Sequence, residues 1–102
     1  MRKINVPFLN PRFYLAAFYC LVGVLLNKKL VAIKYLEKSA EYYPTRNMQY
    51  VCKKNVGLTY YYQDFFQKAK TCLHEAEDIK KEGDSTLFTF LGLIYYFEKD
   101  YS

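Results

Sequence analysis

At 102 residues, 52% apolar and 25% charged, the chain is long enough for one domain with a modest core and too apolar for intrinsic disorder. The net charge of +5 is mild and the lysines are spread along the chain, so no basic stripe of the kind nucleic acid needs is present; a bias towards acidic partners is the most the charge suggests. Cys20, Cys52 and Cys72 form no CxxC pair and there is one histidine, which argues against a zinc site and suits a reducing, cytoplasmic or nuclear compartment.

Residues 1–12 read as a lead-in, because Pro7 and Pro11 interrupt any continuous helix there. Arg2, Lys3 and Arg12 then precede an apolar run from Phe13 to Leu26. That run is too short to span a bilayer. It has the length of a signal-peptide core, but no small-x-small cleavage pattern follows it, so a buried first helix is the stronger reading. Helix one is expected from Pro11 to Leu26, with Asn10 as its cap.

Asn27-Lys28-Lys29 is a polar break, and helix two follows from Leu30 to Tyr43. Its positions Ala32, Ile33, Leu36 and Ala40 recur at three- and four-residue steps and mark one buried face. Pro44 ends it. Asn47 is expected to cap helix three, Met48 to Tyr62, and Gln63-Asp64 to break it. Helix four is expected from Phe65 to Lys81, burying Phe66, Ala69, Leu73, Ala76 and Ile79, with Gly83 as a stop. Asp84 or Ser85 then caps helix five, Thr86 to Phe97. Only 4 Gly and 3 Pro, and no stretch of period-two alternation, make the expected fold class all-α with about five helices.

Self-similarity is the strongest signal. The segment from Lys53 to Tyr62 matches that from Phe88 to Phe97 at a constant offset of 35 residues, including Gly57 with Gly92 and Tyr60 with Tyr95. Ala32-x3-Leu36 and Ala40 match Ala69-x3-Leu73 and Ala76 roughly, at an offset of 37 for Ala32 and Ala69. A small residue at Gly57 or Gly92 would let a neighbouring helix approach, Ala69 would do the same from the other side, and Tyr60 or Tyr95 would fill the space between.

These positions resemble the tetratricopeptide (TPR) repeat, whose pattern runs aromatic, Leu-Gly, Tyr, Ala, large apolar, Ala, often with a closing Pro. Phe88, Leu91, Gly92 and Tyr95 carry it in one copy; Val56, Gly57, Tyr60, Ala69, Leu73 and Ala76 carry it in another; Ala32, Leu36, Ser39 and Pro44 carry part of a third. The resemblance departs where Cys20 takes the Gly position and Gly23 the Tyr position of repeat one, where Lys53 replaces the first aromatic of repeat two, and where repeat three ends after one helix. The segment Ala76 to Asp84 looks like the longer second helix of some members.

The resemblance implies antiparallel helix pairs stacked as a right-handed α-solenoid over residues 13–102: repeat one 13–44, repeat two 47–83 and a half repeat 85–101. It also implies a concave groove lined by the first helices. Its partner-binding residues would be Lys54, Asn55, Leu58, Tyr61 and Tyr62 in repeat two, with Val51 beside them, and Thr89, Tyr96 and Phe97 in repeat three, with Thr86 and Leu93 beside them. Asn55 could hydrogen-bond an extended peptide backbone and Lys54 could meet a carboxylate. Phe90 at the position equivalent to Asn55 argues against a carboxylate clamp. The four aromatics among these positions serve packing between repeats as readily as binding.

His74, Cys72 and Glu75 point apart on a helix and make no nucleophile-base pair, and the four isolated glycines make no phosphate loop. No catalytic residue, cofactor or metal is expected, and the chain is not expected to be an enzyme. The expected function is a protein-interaction module or scaffold holding a partner peptide or subunit. The alternatives are a structural subunit or fragment of a larger helical assembly, suggested by the apolar helix five, and the sensing part of a regulator.

Overall fold

A computed structural model describes residues 11–80 and 84–101, with side chains as far as Lys99. Five helices follow in order: α1 (Pro11–Leu25), α2 (Val31–Tyr42), α3 (Arg46–Tyr62), α4 (Phe66–Ile79) and α5 (Ser85–Tyr101). No strand occurs among the described residues. The radius of gyration is 15.1 Å and the extents are 60 × 28 × 16 Å. A compact chain of this length would have a radius near 13 Å, so the helices form an elongated slab.

Local chemistry explains most helix ends. Pro11 begins α1, where a fixed φ and a missing N–H cost nothing; Asn10, the expected cap, lies outside the described residues, as does most of the lead-in. Pro44 follows α2 and forbids its continuation. The cap of α3 is Thr45, not Asn47: the Thr45 hydroxyl accepts from the Met48 amide at 3.1 Å, and the helix starts two residues earlier than expected. Helix α4 ends at Ile79 rather than Lys81, since Lys80 is already extended; the rest of the segment expected to lengthen it, 81–83, lies outside the described residues. The Gly83 stop lies outside the described residues. Asp84 caps α5 as expected, its Oδ1 accepting from the amides of Thr86 at 3.0 Å and Leu87 at 3.4 Å. Helix α5 runs four residues beyond Phe97.

The α3–α4 turn is a Schellman closure. The Asp64 amide donates to Tyr61 and the Phe65 amide to Tyr60, at 3.0 and 2.9 Å. Asp64 supplies the left-handed residue at φ 64°, and the Phe65 and Tyr60 rings meet edge to face across the closure.

Two antiparallel hairpins, α1–α2 and α3–α4, are locked in the same way. Near the open end of the first, the Arg12 Nε donates to the Tyr42 carbonyl at 2.7 Å; in the second, Arg46 Nε donates to Ile79 at 2.7 Å. Each puts a cation on a helix C-terminus. Near the turn, Gly23 lies against Leu36 and the Ala32 carbonyl, and Gly57 against Leu73 and the Ala69 carbonyl. The first-helix positions Arg12 and Arg46, Gly23 and Gly57, stand 34 residues apart; the second-helix positions Ala32 and Ala69, Leu36 and Leu73, stand 37 apart. The span from the glycine to the facing alanine is therefore three residues shorter in the first hairpin, because α1 ends two residues after Gly23 whereas α3 runs five beyond Gly57, and Gly23, not Cys20, occupies the glycine seat of the first hairpin.

The buried faces follow the expected spacing. Ala32, Leu36 and Ser39 of α2 and Ala69, Leu73 and Ala76 of α4 are fully buried. One core joins α2 to α3 through Cys52 and Val56. A second joins α3, α4 and α5 through Tyr50, Leu73, Leu87, Leu91 and Ile94. Tyr60 packs against both, the filling role expected of it. Gly92 departs from expectation: it is exposed, and a Cβ there would meet nothing within 4 Å.

Candidate functional site

The eight residues singled out for partner binding do not form one continuous surface. Lys54 is spent inside the fold: its Nζ lies 3.0 Å from Asp84 Oδ2 and over the Tyr50 ring. The Asn55 amide donates to its own helix, at the Val51 carbonyl, 2.8 Å away. That leaves its carbonyl oxygen, but not its full donor set, for a peptide. Leu58 is buried and offers a partner little surface. The Thr89 hydroxyl is exposed and donates to the Ser85 carbonyl at 2.7 Å. These four make no shared site.

The remaining four cluster where α3 ends, α4 begins and α5 passes. Tyr61 meets the edge of Phe90 at 5.0 Å between ring centroids and lies 5.9 Å from Phe66. Phe97 stacks on Phe66 at 5.7 Å with the rings nearly parallel. Tyr62 touches Tyr61 and Phe90, and Tyr96 meets Phe97 edge to face. Rings at these distances and angles attract beyond their simple burial. Between them opens a cavity of about 460 Å³ lined by Tyr61, Tyr62, Asp64, Phe66 and Phe97. That volume lies in the range of ligand pockets, and here three helices and one turn frame it.

The Schellman turn explains why the cavity exists. It reverses the chain within three residues, so Tyr61 and Tyr62 at the end of α3 and Phe66 at the start of α4 share one corner. Asp64 is the one charged residue of the lining; elsewhere between α4 and α5, Glu98 takes the Lys70 ammonium at 2.8 Å and the Gln67 side-chain amide. Tyr62 and Tyr96 remain 40% and 61% exposed, so part of each side chain is open to an incoming group. Phe66 was legible only as a core position, and Asp64 only as a break; their pairing with Phe97 depends on tertiary packing that no local pattern signals.

A second, smaller cavity of about 280 Å³ lies between Phe13, Tyr43, Thr45, Asn47, Met48 and Val51. It includes Val51, the groove position expected beside Lys54.

The sharpest polar node escaped the sequence reading altogether. The Tyr50 hydroxyl donates to Asp84 Oδ2, Lys54 pairs with the same oxygen, and Asp84 Oδ1 caps α5. The Tyr50 hydrogen bond and then the Lys54 contact and the Leu87 amide hold the Asp84 carboxyl down at about 2, despite burial acting the other way. Burial first, and the neighbouring carboxylate next, push the Tyr50 phenol up to about 12. The node fastens α5 to α3 rather than presenting a reactive group.

Burial raises all three thiols above their ordinary range, Cys52 to about 11, so none is a ready nucleophile. His74 is half-buried rather than exposed. Its Nε2 lies 3.0 Å from the Tyr95 hydroxyl and its Nδ1 3.3 Å from Glu77, which ties α4 to α5. Among the described residues no three His, Cys, Asp or Glu side chains converge as metal ligands, and no helix is long and apolar enough to cross a membrane. No protein-family model matches the chain, and no solved structure matches it significantly.

Proposed function

We propose that the chain is a protein-interaction module, a TPR-like right-handed stack of helix pairs that holds a segment of a partner protein and performs no catalysis. The observation that carries this reading is the cavity of about 460 Å³ framed by Tyr61, Tyr62, Phe66 and Phe97, with Tyr96 exposed beside it. Rigid aromatics with one wet edge bind apolar side chains at low entropic cost and can hydrogen-bond the accompanying backbone. The occupant that fits is an apolar or aromatic side chain on an extended or helical peptide. The net charge of +5 favours acidic residues flanking that anchor. The repeated Gly23 and Gly57 locks support the helical-repeat part of the reading, and a cytoplasmic or nuclear setting is proposed with it because the thiols are free.

The test is capture of partners from a lysate by the intact chain, followed by mass spectrometry, beside the double variant Tyr62→Ser, Tyr96→Ala. Both side chains are largely exposed, so the variant should melt like the parent while losing its specific partners. Identical partner sets for the two proteins would sink the aromatic cavity as the binding site.

A further inference from the structure

This fold repeatedly sets a cation over an aromatic ring. Arg12 lies over Tyr42, Lys38 over Tyr19, Lys54 and Lys80 over Tyr50, Lys68 over Tyr60 and Phe65, and Lys70 over Tyr95. None of these contacts falls on Tyr61, Tyr62, Phe66 or Phe97, the rings that line the large cavity. The same lining holds one charge, the Asp64 carboxylate. Asp64 contributes its backbone amide to the α3–α4 turn, but among the described residues its carboxylate takes no hydrogen bond and no ion pair. The nearby lysines of α4 are engaged elsewhere, Lys68 over Tyr60 and Phe65 and Lys70 with Glu98. A group of π faces and a carboxylate therefore share one cavity with no cation of the chain's own between them.

That pairing selects among occupants. An uncharged anchor would strip water from the Asp64 carboxylate and return no donor or charge to it. A cation meets the carboxylate and is also drawn to the negative faces of the rings. The rings stand in several orientations, Tyr61 at 71° to Tyr62 and at 49° to Phe66, with Phe66 and Phe97 nearly parallel, so faces as well as edges border the space. The kind of cation follows from what else the lining offers. An unmodified ammonium brings several N–H donors and a guanidinium more, and each needs an acceptor. Against four rings the lining supplies Asp64 and the hydroxyls of Tyr61 and Tyr62. Each N-methyl group replaces a donor with apolar surface and keeps the charge. A trimethylated lysine is thus an apolar side chain with a positive tip.

We propose that the cavity takes an N-methylated lysine of the partner segment, with its trimethylammonium head against the rings and Asp64. The proposal rests on the docking role argued above for the same cavity. It narrows the anchor from any apolar side chain to one that is apolar along its length and cationic at its end.

The test uses short capped peptides that differ only at the central side chain, each with glutamates on both flanks. The central residue is trimethyllysine, lysine, arginine, or the uncharged isostere in which carbon replaces the trimethylammonium nitrogen. Each peptide is titrated into the intact chain and followed by NMR, through the amide shifts of Tyr62, Asp64 and Phe66 and the upfield ring-current shift of the methyl protons. Trimethyllysine should bind tightest, by about tenfold or more over both lysine and the isostere. Asp64→Asn keeps a residue that tolerates the left-handed turn and should bring trimethyllysine down towards the isostere. Phe97→Leu keeps apolar volume, removes a π face and should do the same. Circular dichroism checks that both variants stay helical. Equal binding of trimethyllysine and the isostere, untouched by Asp64→Asn, would overturn the proposal and leave the apolar docking site standing. Tightest binding by lysine or arginine would overturn it as well. Tetramethylammonium chloride that binds as tightly as the trimethyllysine peptide would overturn the peptide as its source. Binding by none of the peptides would overturn the proposal together with the docking site.

Discussion

Gly57 and Gly92 occupy matching places on α3 and α5, yet the first is sealed beneath Leu73 and the second faces open space. Around the sealed glycine the helix pair is locked at both ends, by the leucine near the turn and by Arg46 on the far carbonyl. Around the open one, α5 is held from one side only, by the Leu87, Leu91 and Ile94 stripe and the Asp84 cap. The same sequence motif thus has opposite physical meaning in the two regions. In one it is a packing constraint; in the other it is a free surface.

The largest test of that contrast is leucine truncation. Leu73 is fully buried between α3 and α4, whereas Leu21 is 58% exposed on α1. Leu73→Ala should destabilise by about 2–5 kcal/mol, because it removes buried methyl groups and leaves a cavity where Gly57 cannot fill in. Leu21→Ala should change monomer stability by no more than about 0.5 kcal/mol. Urea unfolding at a concentration where the chain is monomeric measures both. Equal losses would mean that the outer face of α1 is covered within the monomer.

Next in size is the glycine pair. A Cβ at Gly57 would sit 2.8 Å from both Cγ and Cδ2 of Leu73. The Leu73 stem is packed and cannot swing clear, so overpacking of about 1–3 kcal/mol outweighs the roughly 0.5–1 kcal/mol by which Ala is the better helix residue. Gly57→Ala should therefore lower stability, and Gly23→Ala should do the same against Leu36. Gly92→Ala meets nothing and should raise stability by about 0.5–1 kcal/mol. Thermal melts read the opposite signs. A stabilising Gly57→Ala would show that the lock has slack.

The fastening of α5 supplies a test in pH. The Asp84 carboxyl is lowered from its ordinary 3.8 to about 2, chiefly by the Tyr50 hydrogen bond and then by Lys54. A folded value below the unfolded one means that the folded state binds fewer protons in that window. The contribution is present above about pH 4 and is lost as pH falls towards 2, on the order of 1 kcal/mol for this partly solvated group. Tyr50, pushed up from 10 to about 12, behaves oppositely: its contribution holds below pH 10 and is lost as pH rises through 12. Asp84→Asn keeps a competent helix cap but should flatten the acid limb of stability against pH. An unchanged acid limb would remove Asp84 as the fastener.

The helices and their buried faces were legible because period 3.6 is a local property: Ala32, Leu36, Ala69, Leu73 and Ala76 needed no knowledge of their partners. The glycine seat of the first hairpin was misread. Matching it at the second-helix offset of 37 puts Cys20 there, while the earlier end of α1, two residues after its glycine against five in α3, shifts the first helix by three residues and brings in Gly23. The point at which a first helix ends is invisible to a fixed-period comparison. The aromatic cavity was half legible. Tyr61, Tyr62 and Phe97 stood out as groove positions, but Phe66 and Asp64 join them only because the turn closes so tightly. Lys54 and Asn55 were the sharpest polar candidates, and both have intramolecular partners, Asp84 from α5 and the Val51 carbonyl. The Lys54 pair spans 30 residues and leaves no mark at either residue, whereas the Asn55 bond is a local one within α3.

The smallest expected effect lies in the difference between the two hairpin turns. The first reverses through Asn27-Lys28-Lys29 with no residue at positive φ among those described, and the second through Asp64 at φ 64°. Asp tolerates the left-handed region better than most residues but is still strained there relative to Gly. Asp64→Gly relieves that strain while adding freedom to the unfolded chain, and the two effects nearly offset. The net should be a gain of about 0.5 kcal/mol, a rise of a few degrees in melting temperature. The same substitution strips the carboxylate from the cavity beside Tyr62 and Phe97. A stability gain with partner capture unchanged would assign Asp64 to the turn alone. A gain accompanied by altered capture would show that one residue serves both the sealed hairpin and the open aromatic face.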